Sequence, residues 1–135
     1  MERADMEKAI QKAGMPRDLG VEFAELTPER VVATMLVDER HLQPFGYLHG
    51  GVSMVLAESV ATIGGWLNCP PGKGTVGSEI GASHVRPKQA GATLTAVGVP
   101  VHRGRRSQVW EIKITDENDK AVCISRCTLA VIDLD

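Results

Sequence analysis

"GGVSMVLAESVATIGGWL", residues 50 to 67, is a run of eighteen residues with one charged side chain, Glu58. Its length and lack of strict alternation predict a buried helix rather than a strand. "NCPPGKG", residues 68 to 74, closes it, because two prolines and two glycines in succession forbid continuation. Ahead of it, "HLQPFGYL", residues 41 to 48, has no periodicity, contains Pro44 and Gly46, and reads as a loop delivering the chain to the helix. Stepping about 100° per residue puts Val52, Leu56, Val60, Ile63 and Leu67 on a bulky stripe suited to packing on a sheet. Gly50, Ser53, Ala57, Ala61 and Gly64 form a second stripe, whose small side chains let another helix or a crossing strand come close.

The segments around the helix are strand-like. "GVEFAEL" and "RVVATMLVD" precede it, with Thr27-Pro28-Glu29 between them as a hairpin turn. "TVGSEIGASHVRP", "ATLTAVGVPVHRG", "RSQVWEIKITD" and "KAVCISRCTLAVID" follow it, β-branched, alternating and separated by turns such as "DENDK". Consecutive strands without crossovers favour antiparallel pairing. The expected class is therefore α+β, one long central helix covered by one large, curved antiparallel sheet. "ERADMEKAIQKAG" adds a short, mobile leading helix within an arm over residues 1–16, stopped by Gly14 and Pro16.

A chain of 135 residues suits one domain, 1–135, with a sizeable core. Its 15 Lys and Arg against 17 Asp and Glu give a formal net charge of −2, so nucleic acid is not an expected partner. Three cysteines, Cys69, Cys123 and Cys127, lack CxxC or zinc-ligand spacing, and are expected as reduced thiols in a cytoplasmic protein with no metal. The charged N-terminus offers no apolar export signal. Ser53, Glu58, Ser59, Thr62 and the Gly64-Gly65 pair argue against a membrane span.

Glu58 is the chemical signal. A glutamate at a helix edge can simply reach solvent, but no Lys or Arg lies in the surrounding run to pair it, and an unpaired, desolvated carboxylate is costly. Such a group is what a tuned base or nucleophile requires. Thr62, one turn on, is within reach of a hydrogen bond to it. "HGG", residues 49 to 51, reads as a tight entry turn or as a site. Gly50 stands at the helix N-terminus, where N–H groups lack partners and a missing side chain leaves them open to an oxyanion. Gln43 in the preceding loop can reach the same place. Gly50 and Glu58 are eight residues, roughly 12 Å, apart along a helix. A small carbonyl cannot touch both within one chain. Two chains with antiparallel helices about a two-fold axis bring Gly50 of one against Glu58 of the other, which predicts a homodimer with shared sites.

"QPFGYLHGG" followed by "LAES", with "GSEIGASHVRP" and "VHRGRRSQVWEI", resembles the hotdog-fold acyl-CoA thioesterases of the 4-hydroxybenzoyl-CoA and phenylacetate-pathway type. The subgroup most alike contains the 1,4-dihydroxy-2-naphthoyl-CoA hydrolases and the enterobactin proofreading thioesterases. The resemblance runs from about Leu19 to Ile132. It implies a hotdog fold, dimeric and further paired as a dimer of dimers. It also implies hydrolysis of an aromatic or medium-sized acyl-CoA to acid and free CoA, with no separate cofactor. Glu58 then falls in the place of nucleophile or general base. Gly50 polarises the thioester carbonyl beside Gln43, His49 binds the thioester or places water, and Thr62 supports the carboxylate. Gly77, His84, Arg86, His102, Arg103, Arg105 and Arg106 fall in the segments that hold substrate and coenzyme A. Two other functions fit the same fold: a non-catalytic acyl-CoA sensor, and a dehydratase or hydratase.

Overall fold

The computed structural model describes residues 3–12 and 14–135. Two short helices, α1 (Arg3–Lys12) and α2 (Met15–Asp18), lead into β1 (Glu22–Thr27) and β2 (Arg30–Leu36). After a turn of 3-10 helix at Glu39–His41 comes α3 (Gly50–Leu67), with the bounds its sequence predicts. The strands β3 (Lys73–His84), β4 (Thr93–Arg103), β5 (Ser107–Thr115) and β6 (Ala121–Asp133) complete the chain. Together the six strands form one antiparallel sheet in the order β1-β2-β4-β5-β6-β3. Strand β3 therefore leaves its sequence neighbour β4, pairs with β6, and stands at an edge.

α3 meets the sheet on a different face from the one its bulky stripe suggests. Ser53, Ala57, Ala61 and Gly64 of the small stripe are buried, with Leu56, Val60 and Gly65, whereas Val52, Ile63 and Leu67 are only half-buried. The sheet supplies the bulk. The fully buried Trp110 lies over Gly64, where an added Cβ would stand 2.4 Å from the indole ring, and Val60 in turn presses on Gly98 of β4. Close approach at two glycines lets a large ring fill the core without a void. Gln108 fastens the same contact, accepting from the Trp110 indole at 3.0 Å and donating to the Gly65 carbonyl at 3.0 Å.

The expected leading helix begins at Glu2, which with Met1 and Ala13 lies outside the described residues. Its described part is docked, since Met6 is buried. Pro16 does not end helical structure there. It opens α2, in the first turn, where its missing N–H costs nothing. The buried His41 was not singled out in the sequence. Its Nδ1 accepts from the Asp38 N–H at 2.9 Å and its Nε2 meets the Leu19 carbonyl at 2.8 Å, tying the loop before α3 to the end of α2.

Candidate active site

The N-terminus of α3 opens on a cavity of about 430 Å³, lined in part by Gln43, Gly50, Ser53, His84 and Arg86. Among the described residues the Gly50 N–H has no partner, as expected for the first residue of a helix. A side chain at Gly50 would collide with the His84 ring, 2.9 Å from an added Cβ, so glycine is what keeps this N–H accessible. The Gln43 amide oxygen is held by the N–H groups of Phe45 and Tyr47, which leaves its NH₂ as the group offered to the cavity. His49 takes a different place from the one its motif suggests. Its Nδ1 accepts from the Gly51 N–H at 2.8 Å, capping α3, and its ring does not line the cavity.

Glu58 opens on a second cavity, of about 250 Å³, with Thr62, Ile63 and Trp66 from α3, Phe23 from β1, and Ala9, Ile10 and Pro16 from the leading helices. Its carboxylate makes no hydrogen bond or ion pair with any described residue, in keeping with the absence of local Lys or Arg. Gly77, which the sequence groups with the coenzyme segments, lies directly beneath it: an added Cβ would stand 2.4 Å from Glu58 Oε1. On the adjoining β6 strand the Cys127 thiol is pushed up to about 11, by burial first and by the Glu58 charge second. The Thr62 hydroxyl does not bond the carboxylate. Thr62 lines the same cavity, and its backbone carbonyl accepts from Thr75 Oγ1 at 2.9 Å.

The coenzyme candidates divide between opposite ends of the sheet. His84 ends β3 and Arg86 follows it, both beside the α3 N-terminus, with Arg86 Nε donating to the Ala121 carbonyl at 3.2 Å. His102, Arg103, Arg105 and Arg106 sit at the β4–β5 turn by the other end of the helix, where Arg103 donates to Asn68, the C-cap of α3, at 3.3 Å. An eighteen-residue helix, about 27 Å, separates the two groups. The Arg105 and Arg106 side chains are exposed and have no partner among the described residues. No cluster of three or more His, Cys, Asp or Glu suited to a metal ion occurs among the described residues.

The thioesterase superfamily model matches residues 45–123, from the loop ahead of α3 into β6. The chain belongs to the thioesterase superfamily. As a member of it the protein is a thioester hydrolase, and its helix in a curved antiparallel sheet is the hotdog fold. Over 118 residues the chain is 48% identical to a 1,4-dihydroxy-2-naphthoyl-CoA hydrolase of Listeria monocytogenes, covering 87% of this chain and 95% of the relative. It is 46% identical over 114 residues to the proofreading thioesterase EntH of Cronobacter turicensis, covering 84% of this chain and 82% of that one. Among solved structures, a thioesterase from Haemophilus influenzae superposes with a TM-score of 0.89 at 40% identity, over 99% of this chain and 93% of that chain.

The cavity walls contain residues to which the sequence assigns no role in a site. Ala9, Ile10, Pro16, Phe23 and Trp66 reach the Glu58 cavity from separate elements, so no local spacing connects them.

Proposed function

We propose that this thioesterase hydrolyses an aromatic or medium-sized acyl-CoA to acid and free CoA, at sites shared between two chains. The observation that carries this reading is the division of the chemistry within one chain. A donor-rich cavity at Gly50 and an unpaired carboxylate at Glu58 face separate spaces, each holding half of what the reaction needs. A two-fold axis with antiparallel helices joins the halves. The same axis carries the β4–β5 turn of one chain toward the His84 end of its partner, gathering the basic residues for one coenzyme. The half-buried outer side of α3, including Met54 and Val55, supports such pairing. Exposed Val99 and Ile124 on the outer face of the sheet support the further pairing of dimers.

In this reading the acyl carbonyl lies at the Gly50 N–H and the Gln43 amide, which stabilise the developing oxyanion. Glu58 acts in one of two ways. As a base it takes a proton from water as the hydroxide adds to the carbonyl carbon. As a nucleophile it forms a mixed anhydride that water then opens. Either way the C–S bond breaks and the thiolate leaves to be protonated. The apolar walls around Glu58 suit an aromatic ring, and the naphthoyl-CoA hydrolase relative supports that class. Arg105 and Arg106 suit the coenzyme phosphates.

Release of free thiol from aryl, hydroxyaryl and aliphatic CoA esters tests the activity. Glu58→Ala is expected to lower kcat by several orders of magnitude with the fold intact. Near-normal turnover refutes the mechanism. For the shared site, Glu58→Ala is refolded together with a Gln43→Ala, His49→Ala double variant. Random pairing makes about half the dimers mixed, each with one intact site, so roughly a quarter of wild-type activity returns. A silent mixture, with mixed dimers verified by mass spectrometry, refutes the arrangement.

A further inference from the structure

One polar group near the Gly50 cavity has no explanation in the fold. Ser53 is 1% exposed, lines the cavity, and its Oγ has no hydrogen-bond partner. Serine in a helix usually satisfies itself by bonding the carbonyl one turn back, as Ser59 does to Val55 at 2.6 Å. Ser53 does not, although the His49 carbonyl stands at that position. A buried hydroxyl left without a partner is destabilising, and such groups persist where a ligand completes them.

The direction of the side chain indicates which ligand. Cα–Cβ bonds in a helix tilt toward its N-terminus, so the Ser53 hydroxyl is carried back toward the first turn and the Gly50 N–H. The cavity contains no carboxylate, and the polar groups lining it include the Gln43 NH₂, the Gly50 N–H, His84 and Arg86. Such a set receives an oxygen that gains negative charge. We infer that the Ser53 hydroxyl is a third donor to the acyl carbonyl oxygen, beside the Gly50 N–H and the Gln43 amide. The assignment rests on the thioesterase reading of this cavity. The reaction is unchanged by it: Ser53 keeps its proton throughout and forms no covalent bond.

The experiment compares wild type, Ser53→Ala and Ser53→Cys, the last keeping the shape with a weaker donor. Ser53→Ala is expected to lower kcat about tenfold or more with little change in KM, because the bond strengthens as charge develops on oxygen. Ser53→Cys is expected to fall between. Binding is measured with two inert ligands: a CoA ketone in which a methylene replaces the thioester sulfur, and S-benzyl-CoA, which has no acyl carbonyl beside the sulfur. Ser53→Ala is expected to weaken the ketone roughly 3- to 10-fold and to leave the thioether unchanged. The ligand-free Ser53→Ala protein is expected to melt at the same temperature as wild type or higher, since an unsatisfied buried hydroxyl has been removed. Unchanged kcat in Ser53→Ala, or equal losses for the two ligands, overturns the assignment. So does a lowered melting temperature with normal turnover, which marks Ser53 as structural. A wild-type protein that releases no thiol from any ester refutes the thioesterase reading itself, an outcome distinct from an active wild type that Ser53→Ala leaves untouched.

Discussion

Gly77→Ala tests the position of Glu58 with a single methyl group. The new Cβ would stand 2.4 Å from Glu58 Oε1, 2.9 Å from its Cδ and 3.3 Å from its Cγ, whereas ordinary contact begins at 3.4 Å. The carboxylate therefore has to withdraw by about 1 Å, a misplacement that costs on the order of 100-fold in rate when a reacting group is involved. The fold has little reason to object. The atoms in the way are the end of a flexible side chain, and Gly77 is not among the glycines with positive φ, so alanine fits its backbone. Replacing glycine at a compatible position also restricts the unfolded chain, a gain of about 0.4–1 kcal/mol. The expected result is a variant that melts no lower than wild type and turns over roughly 100 times more slowly. Thiol release under saturating substrate measures kcat, and a thermal melt measures stability. Gly81→Ala, on the same strand with nothing within 4 Å of its added Cβ, is the control and keeps normal turnover. A kcat for Gly77→Ala within about threefold of the Gly81→Ala control refutes the reasoning, because the carboxylate would then be displaced without consequence.

Gly64→Val drives a branched side chain into the rigid Trp110 indole, and a loss of about 1–3 kcal/mol or more is expected by urea unfolding. Asp116, in the β5–β6 turn, has its carboxyl lowered to about 2, chiefly by the Lys120 N–H and then by the Lys88 ammonium. Its folded value lies below the unfolded one, so its stabilisation is present above the ordinary carboxylate range and is lost as pH falls from about 4 to about 2. Melting temperature is expected to drop through that window in wild type, with a flatter profile in Asp116→Asn. Arg105→Ala and Arg106→Ala are expected to raise KM for CoA esters with little loss of kcat, and to spare pantetheine esters. Contacts to remote phosphates hold ground and transition states alike, so equal effects on both substrates would place these arginines elsewhere.

Much of the protein was legible without coordinates. The run from Gly50 to Leu67, charged only at Glu58 and closed by Pro70 and Pro71, determined the helix, because periodicity and breakers act over a few residues. The alternating runs around it determined strands for the same reason, and their succession without crossovers favoured antiparallel pairing. The lack of any nearby cation left Glu58 unpaired in sequence, and it is unpaired in the fold. Its spacing from Gly50 placed the two outside each other's reach, which follows from the rise of a helix alone. What the sequence left open depends on which distant surfaces meet. The small stripe of α3 faces inward because Trp110, from a strand more than forty residues away, supplies the volume there. Gly77 comes to lie under Glu58 because β3 pairs with β6 at the sheet edge, and no local pattern encodes strand order. His84 and the β4–β5 arginines separate to opposite ends because antiparallel strands reverse direction at each turn. Ser53 reads in sequence as one more small residue of a stripe. Only packing shows that its hydroxyl is buried beside an open helix end with nothing to bond, since that depends on what every surrounding element fails to offer.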